Sequence, residues 1–247
     1  MPIIYEPRGR AREYCELAAN LYRGCGHGCR YCYAPAATRA DRGKFYREPV
    51  PRKNVIEELS KDARRFELKF KGPVLLCFTC DPYQPINDEH DLARKAIRIL
   101  RGNGFPVEVL TKGGKRAEKD LSMLGAGDKV GATLTFTDPA DSLEWEPGAA
   151  PPAERFALLE KAKSLGLTTW ASLEPVIDPE QSLEIIRRAH EYVDTFKVGT
   201  LNHHPLAREI DWYRFGSQAV ELLDELRCGY YIKDDLRKHL EQERLFA

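Results

Sequence analysis

"YRGCGHGCRYCYAP", residues 22–35, places three of the seven cysteines of the chain, Cys25, Cys29 and Cys32, within eight positions. Clustered thiols in odd number make a poor disulfide framework and point to reduced, metal-binding chemistry. Gly24, Gly26 and Gly28 let the loop wrap closely round a bulky group, because glycine tolerates left-handed backbone and adds no side chain. Three chemistries are open. Structural zinc wants four ligands in a tetrahedron. His27, or the pair Cys77 and Cys80 of "CFTC", would have to complete it. That pair ends an apolar run and lies further off than the roughly 15–20 residues of compact zinc ribbons. A redox dithiol at Cys77–Cys80 wants a helix N-terminus directly after it, where this chain has "DPYQP". An iron–sulfur cluster takes one thiolate per iron, so three cysteines leave one iron of a four-iron cluster open to a small molecule.

Outward from this loop the chain alternates. "YCELAANLYRG", "PVLLCFTC", "PVEVLTK", "KVGATLTF", "LTTWASLEPVI" and "TFKVGTL" read as strands. "NVIEELSKDARRF", "HDLARKAIRILRGNG", "AEKDLSML", "PAERFALLEKAKSLG", "PEQSLEIIRRAHEYV" and "FGSQAVELLDELRCG" read as the helices that follow them. Six β-then-α units predict a parallel sheet in an α/β fold, and six units suit a partial (β/α)6 barrel better than a closed eight. A doubly wound sheet also fits the pattern alone. No stretch reads as a long linker, so one domain spanning 1–247 is expected. Its core covers about 14–228, and a short strand "YYIK" and a helix "DDLRKHLEQERL" follow within 229–247. Chemistry in parallel α/β folds gathers at the carboxyl ends of strands. Here these are Cys25–Cys32, Cys77–Asp81, Thr111–Lys112, Thr133–Thr137, Glu174 and Thr200–His204.

Composition narrows the class. The chain is 43% hydrophobic and 31% charged, which suits a globular fold. No apolar run approaches the roughly 18 residues of a membrane span. "MPIIYEPRGRAREY" carries no apolar signal core, so a cytoplasmic location is expected. Net charge is zero, with 38 basic and 38 acidic residues, which argues against a strong non-specific nucleic-acid binder. Between Ala37 and Gly72, however, basic residues outnumber acidic ones by five. That stretch reads either as a solvated helix face or as a basic rim able to receive a phosphate backbone.

"CGHGCRYCY" resembles the cluster loop of the radical S-adenosylmethionine (SAM) superfamily, which uses C-x3-C-x-aromatic-C, with Tyr31 as the aromatic. "TCDPYQP", "VLTKGG", "TLTFTD" and "EWEPGAAPPAERFALLEKAKSLG" resemble the branch that includes spore photoproduct lyase, over roughly Tyr14 to Asn202. The resemblance implies a partial (β/α)6 TIM-like barrel. It implies a [4Fe–4S] cluster on Cys25, Cys29 and Cys32, with SAM chelating the open iron. Reductive cleavage of SAM would give a 5′-deoxyadenosyl radical that abstracts hydrogen from a substrate. An electron donor such as flavodoxin or ferredoxin is implied as partner. His27 then reads as a loop residue beside the cluster.

By the same resemblance Tyr31 packs near the adenine. Asp81 accepts hydrogen bonds from the SAM amino group or a ribose hydroxyl, against the plainer reading of a loop cap ahead of Pro82. Lys112 pairs with the SAM carboxylate, and Thr133 occupies the place of a family serine near the cofactor. The photoproduct lyase uses a strand cysteine as hydrogen donor three residues before this aspartate. Here that place is Phe78, and Cys77 and Cys80 on either side are the candidate hydrogen donors. Strand alternation would put them on opposite faces. Glu174, Asn202, His203 and Arg155 are candidate substrate-binding residues; for Arg155 a surface salt bridge is the competing reading. His204, Trp212, Tyr213 and Lys233 are expected near the barrel mouth. The expected substrate is a nucleic acid or nucleotide, in DNA repair or modification, with a peptide or small metabolite as the alternative. A non-catalytic zinc or iron–sulfur nucleic-acid-binding module is a third reading. The chain is shorter than expected for a full lyase with DNA-gripping extensions.

Overall fold

The apolar runs pair side by side in nearly the order in which they occur. The computed structural model describes residues 2–67 and 72–243. Among these residues the strands are β1 (Ile4–Tyr5), β2 (Leu17–Ala19), β3 (Tyr22–Arg23), β4 (Val50–Pro51), β5 (Val74–Leu76), β6 (Val107–Thr111), β7 (Lys129–Thr133), β8 (Thr168–Leu173), β9 (Thr195–Val198) and β10 (Gly229–Ile232). Eight of them form one sheet in the order β1-β2-β5-β6-β7-β8-β9-β10. Only the edge pair β1–β2 is antiparallel; β2 through β10 run parallel. β3 and β4 make a separate antiparallel ribbon beside the cysteine loop.

Helices fill the crossovers, and several of their sequences carry one apolar stripe. In Leu92–Gly102 the buried residues are Leu92, Ala93, Ala96, Ile97 and Leu100, the spacing of one helical face. Pro152–Ser164 begins with a proline in its first turn, and Gly166 follows its end at φ 76°. Alternate strand residues face two different cores. Leu76, Val109 and Val130 pack under the helices. Ala18, Leu75 and Trp170 share the other side with Cys15. That inner side is concave. Glu108 on β6 and Lys197 on β9 lie 3.7 Å apart, although β7 and β8 separate them, about 14 Å of flat sheet. Trp170 lies directly on Gly131, where a Cβ would come within 2.2 Å of the indole.

Seven parallel strands and six crossovers make the partial barrel expected from the sequence. β10 is a full member of the sheet, in parallel register with β9, so the C-terminal strand belongs to the barrel rather than following it. β1 and β10 do not pair with each other among the described residues. A short 3-10 turn, Gly9–Glu13, links these two edges instead. Glu13 accepts from Asp234 N at 2.8 Å and from the Tyr231 hydroxyl at 3.2 Å. The expected first strand, 14–24, divides into β2 and β3, and β5 stops at Leu76 rather than running on to Cys80. One side chain accounts for both breaks. Asn20 Oδ1 accepts from Phe78 N and Thr79 N, each at 2.8 Å, taking the donors a longer strand would offer to a ladder. The last residues of the expected C-terminal helix, and Lys69 and Lys71 of the basic stretch, lie outside the described residues. No helix among the described residues is long and apolar enough to cross a membrane.

Candidate active site

The carboxyl ends of the strands open into a cavity of about 600 Å³. Cys25, Cys29 and Cys32 line it, with Tyr31, Cys77, Cys80, Asp81, Lys112 and Thr133. Glu174, Asn202, His203 and Lys233 line it too. Most of the residues picked out at strand ends therefore share one space.

The cysteine loop is held by its backbone. Cys25 N donates to Phe45 O at 2.9 Å and Arg30 N to Trp145 O at 2.8 Å. The buried carboxamide of Gln84 accepts from Gly26 N at 2.8 Å and donates to Gly24 O at 3.2 Å. Gly24 has φ 85°, and a Cβ there would meet Phe45 O at 2.5 Å. Arg42 donates to the carbonyls of Cys29 and Cys32 at 3.5 and 3.3 Å, and also to that of Arg30. The Tyr46 hydroxyl donates to Cys29 O at 3.1 Å. Arg42, one of the basic residues expected on a phosphate-receiving rim, thus clamps the loop from outside.

The donor set suits a multi-iron group. Among the described residues no three His, Cys, Asp or Glu side chains converge tightly enough to hold a single metal ion. In a cluster, by contrast, each thiolate reaches a different iron. Burial, foremost, holds the Cys25 and Cys29 thiols above their ordinary pKa, Cys29 at about 12, so metal binding has to displace their protons. His27 is no fourth donor. It is fully buried, with Nδ1 3.4 Å from Asp81 Oδ2 and Nε2 3.3 Å from an Arg116 nitrogen. Burial lowers its pKa to about 4 against the pull of Asp81, so the ring is neutral.

Lys112 brings a cation into the cavity. Its Nζ sits 5.6 Å from the Tyr31 ring centroid and has no carboxylate within 4 Å among the described residues. Burial would lower its pKa, but the charges of Cys29 and Glu146 outweigh that and raise it. Tyr31 is fixed through its hydroxyl, which donates to Glu146. Thr133, buried at the end of β7, stands beside them.

Other expectations need correction. Arg155 is only 1% exposed and absent from the cavity lining. It forms a 2.5 Å ion pair with Glu146 and donates to Ala150 O, Thr133 O and Ser142 Oγ. A guanidinium so fully engaged serves the scaffold, neither binding substrate nor pairing at the surface. Asp81 is not free either. Oδ1 accepts from Tyr83 N (2.8 Å) and Thr111 Oγ1 (2.6 Å), and Oδ2 from Lys112 N (2.7 Å). Trp212 and Tyr213 face a neighbouring groove rather than the cavity. Trp212 is buried with its indole N–H on Ala207 O. His204 caps a short turn and packs edge-to-face with Trp145, ring centroids 5.3 Å apart. Alternation does not separate Cys77 from Cys80, because the strand has ended before them, and both line the cavity.

At the far end of the cavity Glu174 accepts from the Tyr14 hydroxyl at 2.5 Å, pairs with buried Lys233, and lies 3.5 Å from Arg10. Asn202 bridges Arg10 and Glu174 at 3.0 and 3.4 Å. Arg10, Tyr14, Asn20 and Gln84 carry no motif of their own. Only Gln84, inside "DPYQP", stood next to a signal.

Residues 19–193 match the family described as the Radical SAM superfamily. An uncharacterized protein of Mycobacterium tuberculosis is 30% identical over 167 residues, 64% of this chain and 48% of its own length. The chain thus spans about half the length of that relative. An uncharacterized protein of Methanocaldococcus jannaschii is 24% identical over 169 residues, covering 68% of this chain and 62% of that protein. Among solved structures, a spore photoproduct lyase variant with bound AdoMet and dinucleoside spore photoproduct superposes with a TM-score of 0.71 at 14% identity. The match covers 93% of this chain and 79% of that one. Streptococcus suis SuiB bound to S-adenosylmethionine gives 0.62 at 11% identity, over 87% and 45%. With three thiols on a pinned loop at the mouth of a partial barrel, and a family match over most of its length, this chain belongs to the radical SAM superfamily of enzymes, which use a [4Fe–4S] cluster and SAM.

Proposed function

We propose that this chain is a radical SAM enzyme acting on a nucleic acid or nucleotide. The observation that carries the enzymatic reading is one cavity lined by three thiols and by a lysine with no ion-pair partner among the described residues. Cys25, Cys29 and Cys32 would hold the cluster, and Lys112 would take the SAM carboxylate. Tyr31 and Thr133 would bound the cofactor's remaining surface. The cluster and SAM, when bound, supply the reductive chemistry that generates a 5′-deoxyadenosyl radical. The residues of this chain orient the cofactor, exclude water and hold the substrate hydrogen in reach. Cys77 and Cys80, which both line the cavity, would return hydrogen to a product radical. Glu174, Asn202 and His203, joined by Lys233, Tyr14 and Arg10, form the polar end that would receive the substrate group.

The choice of a nucleic acid or nucleotide, and with it a repair or modification role, rests on the branch motifs and on the dinucleoside bound by the lyase structure. A flavodoxin or ferredoxin would deliver the electron. The test is anaerobic reconstitution. The full chain should hold about four irons and release 5′-deoxyadenosine on reduction. Cys25→Ala, Cys29→Ala and Cys32→Ala should each lose both properties. Tight binding of a single zinc without SAM cleavage would refute the enzyme. If DNA, RNA and nucleotides all leave 5′-deoxyadenosine output unchanged, the substrate is a peptide or small metabolite instead.

A further inference from the structure

Asp81 and His27 sit at the junction of four loops on the cavity rim. Asp81 is buried, and an ionised carboxylate offers about four acceptor positions. Tyr83 N, Thr111 Oγ1 and Lys112 N take three at 2.6–2.8 Å, and His27 Nδ1 faces the fourth at 3.4 Å. The tautomer of His27 follows from its other side. Arg116 has only donors, so Nε2, 3.3 Å from it, accepts, and Nδ1 carries the proton toward Asp81. Arg116 also donates to Tyr83 O at 2.8 Å, and His27 O accepts from Gly148 N at 2.9 Å. Asp81 thereby joins the segment after β5 to the end of β6, His27 faces it from the cysteine loop, and Arg116 with the Gly148–His27 backbone bond brings in the 146–150 loop.

We infer that His27 and Asp81 are a positioning pair that fixes the Lys112 backbone against the cysteine loop, so that the ammonium and the three thiols meet SAM as one preset surface. The inference rests on the radical SAM reading above. It gives Asp81 a role other than direct ligand, because three of its acceptor positions already hold donors of this chain and His27 stands 3.4 Å from Oδ2. Lys112 shows the consequence. Its amide is anchored on Asp81 Oδ2 at 2.7 Å while its side chain lines the cavity. A buried, fully paired carboxylate holds its donors rigidly, because leaving any of them unpaired is costly.

The test uses the full chain with Asp81→Asn, His27→Leu and His27→Asn. The asparagine amide nitrogen reproduces the Nδ1–H donor; leucine fills the space without it. Three quantities are read: iron per chain after reconstitution, the SAM dissociation constant, and amide hydrogen exchange across 107–116 in the metal-free chain. All three variants should keep the iron content of the wild type. Asp81→Asn and His27→Leu should weaken SAM binding about tenfold, the worth of one charge-assisted hydrogen bond, and speed exchange at Lys112. His27→Asn should restore both. Unchanged affinity and exchange in Asp81→Asn and His27→Leu would overturn the inference while leaving the enzyme intact. Equal iron loss in all three variants would reduce the pair to packing and likewise overturn it. A wild-type chain that binds no SAM would instead refute the underlying reading.

Discussion

Lys112 shows what one side chain can carry. Its backbone is anchored on Asp81, its ammonium lies over Tyr31, and no carboxylate neutralises it within 4 Å among the described residues. A cation held this way is suited to a ligand carboxylate, whose charge-assisted bond contributes roughly 1.5–3 kcal/mol. Lys112→Met keeps the length of the side chain and removes the charge. It should leave iron content unchanged and weaken SAM binding roughly ten- to hundredfold, as measured by equilibrium binding to the reconstituted protein. Wild-type affinity in that variant would remove Lys112 from the cofactor site. "VLTKGG" marked this lysine as a strand end, and the family resemblance made it a partner for the SAM carboxylate. That no carboxylate lies within 4 Å of its ammonium among the described residues is a property of everything around it.

The cysteine loop is an element with little regular structure, so it depends on partners from outside. Gln84 is the most buried of them, satisfying Gly26 N and Gly24 O at once. Gln84→Leu fills the same space and leaves both groups unpaired, a penalty of about 1–3 kcal/mol each if they stay buried. The expected result is faster amide exchange over residues 24–32 in the metal-free chain and lower iron retention, with the rest of the barrel protected as in wild type. Equal protection of the loop in wild type and variant would show that Arg42, Tyr46 and Phe45 hold it unaided. Strand positions were legible because buried parallel strands read as short apolar runs. Their ends were not. β5 stops at Leu76 because Asn20, 58 residues before Phe78, takes the donors of Phe78 and Thr79, and no local pattern encodes that.

Across the whole molecule the Glu146–Arg155 pair joins the loop after β7 to the helix that follows it and supports Tyr31 from beneath. Burial by itself would raise the Glu146 carboxyl. Arg155, then Lys112 and hydrogen bonds from Tyr31 and Arg155, hold it below its ordinary value of 4.5. A group held below its unfolded value contributes stability above that value and loses it as pH falls through the folded one. Arg155→Met should therefore cost about 3–5 kcal/mol near pH 7, because it strands a buried carboxylate. The gap from wild type should narrow below pH 4.5 as Glu146 takes up its proton. Urea unfolding of the metal-free chain at several pH values reads both effects, and a gap independent of pH would show that packing rather than charge is lost. The sequence by itself determined the cysteine loop, the run of βα units and the family, because ligand spacing and apolar periodicity are local and survive without neighbours. Only the tertiary structure decided that Arg155 is buried against Glu146, that Asp81 accepts from Tyr83, Thr111 and Lys112, and that Glu174, Asn202 and Lys233 meet at one end of the cavity. Those roles depend on which buried donors and acceptors find each other across the barrel, and that pairing is made by folding.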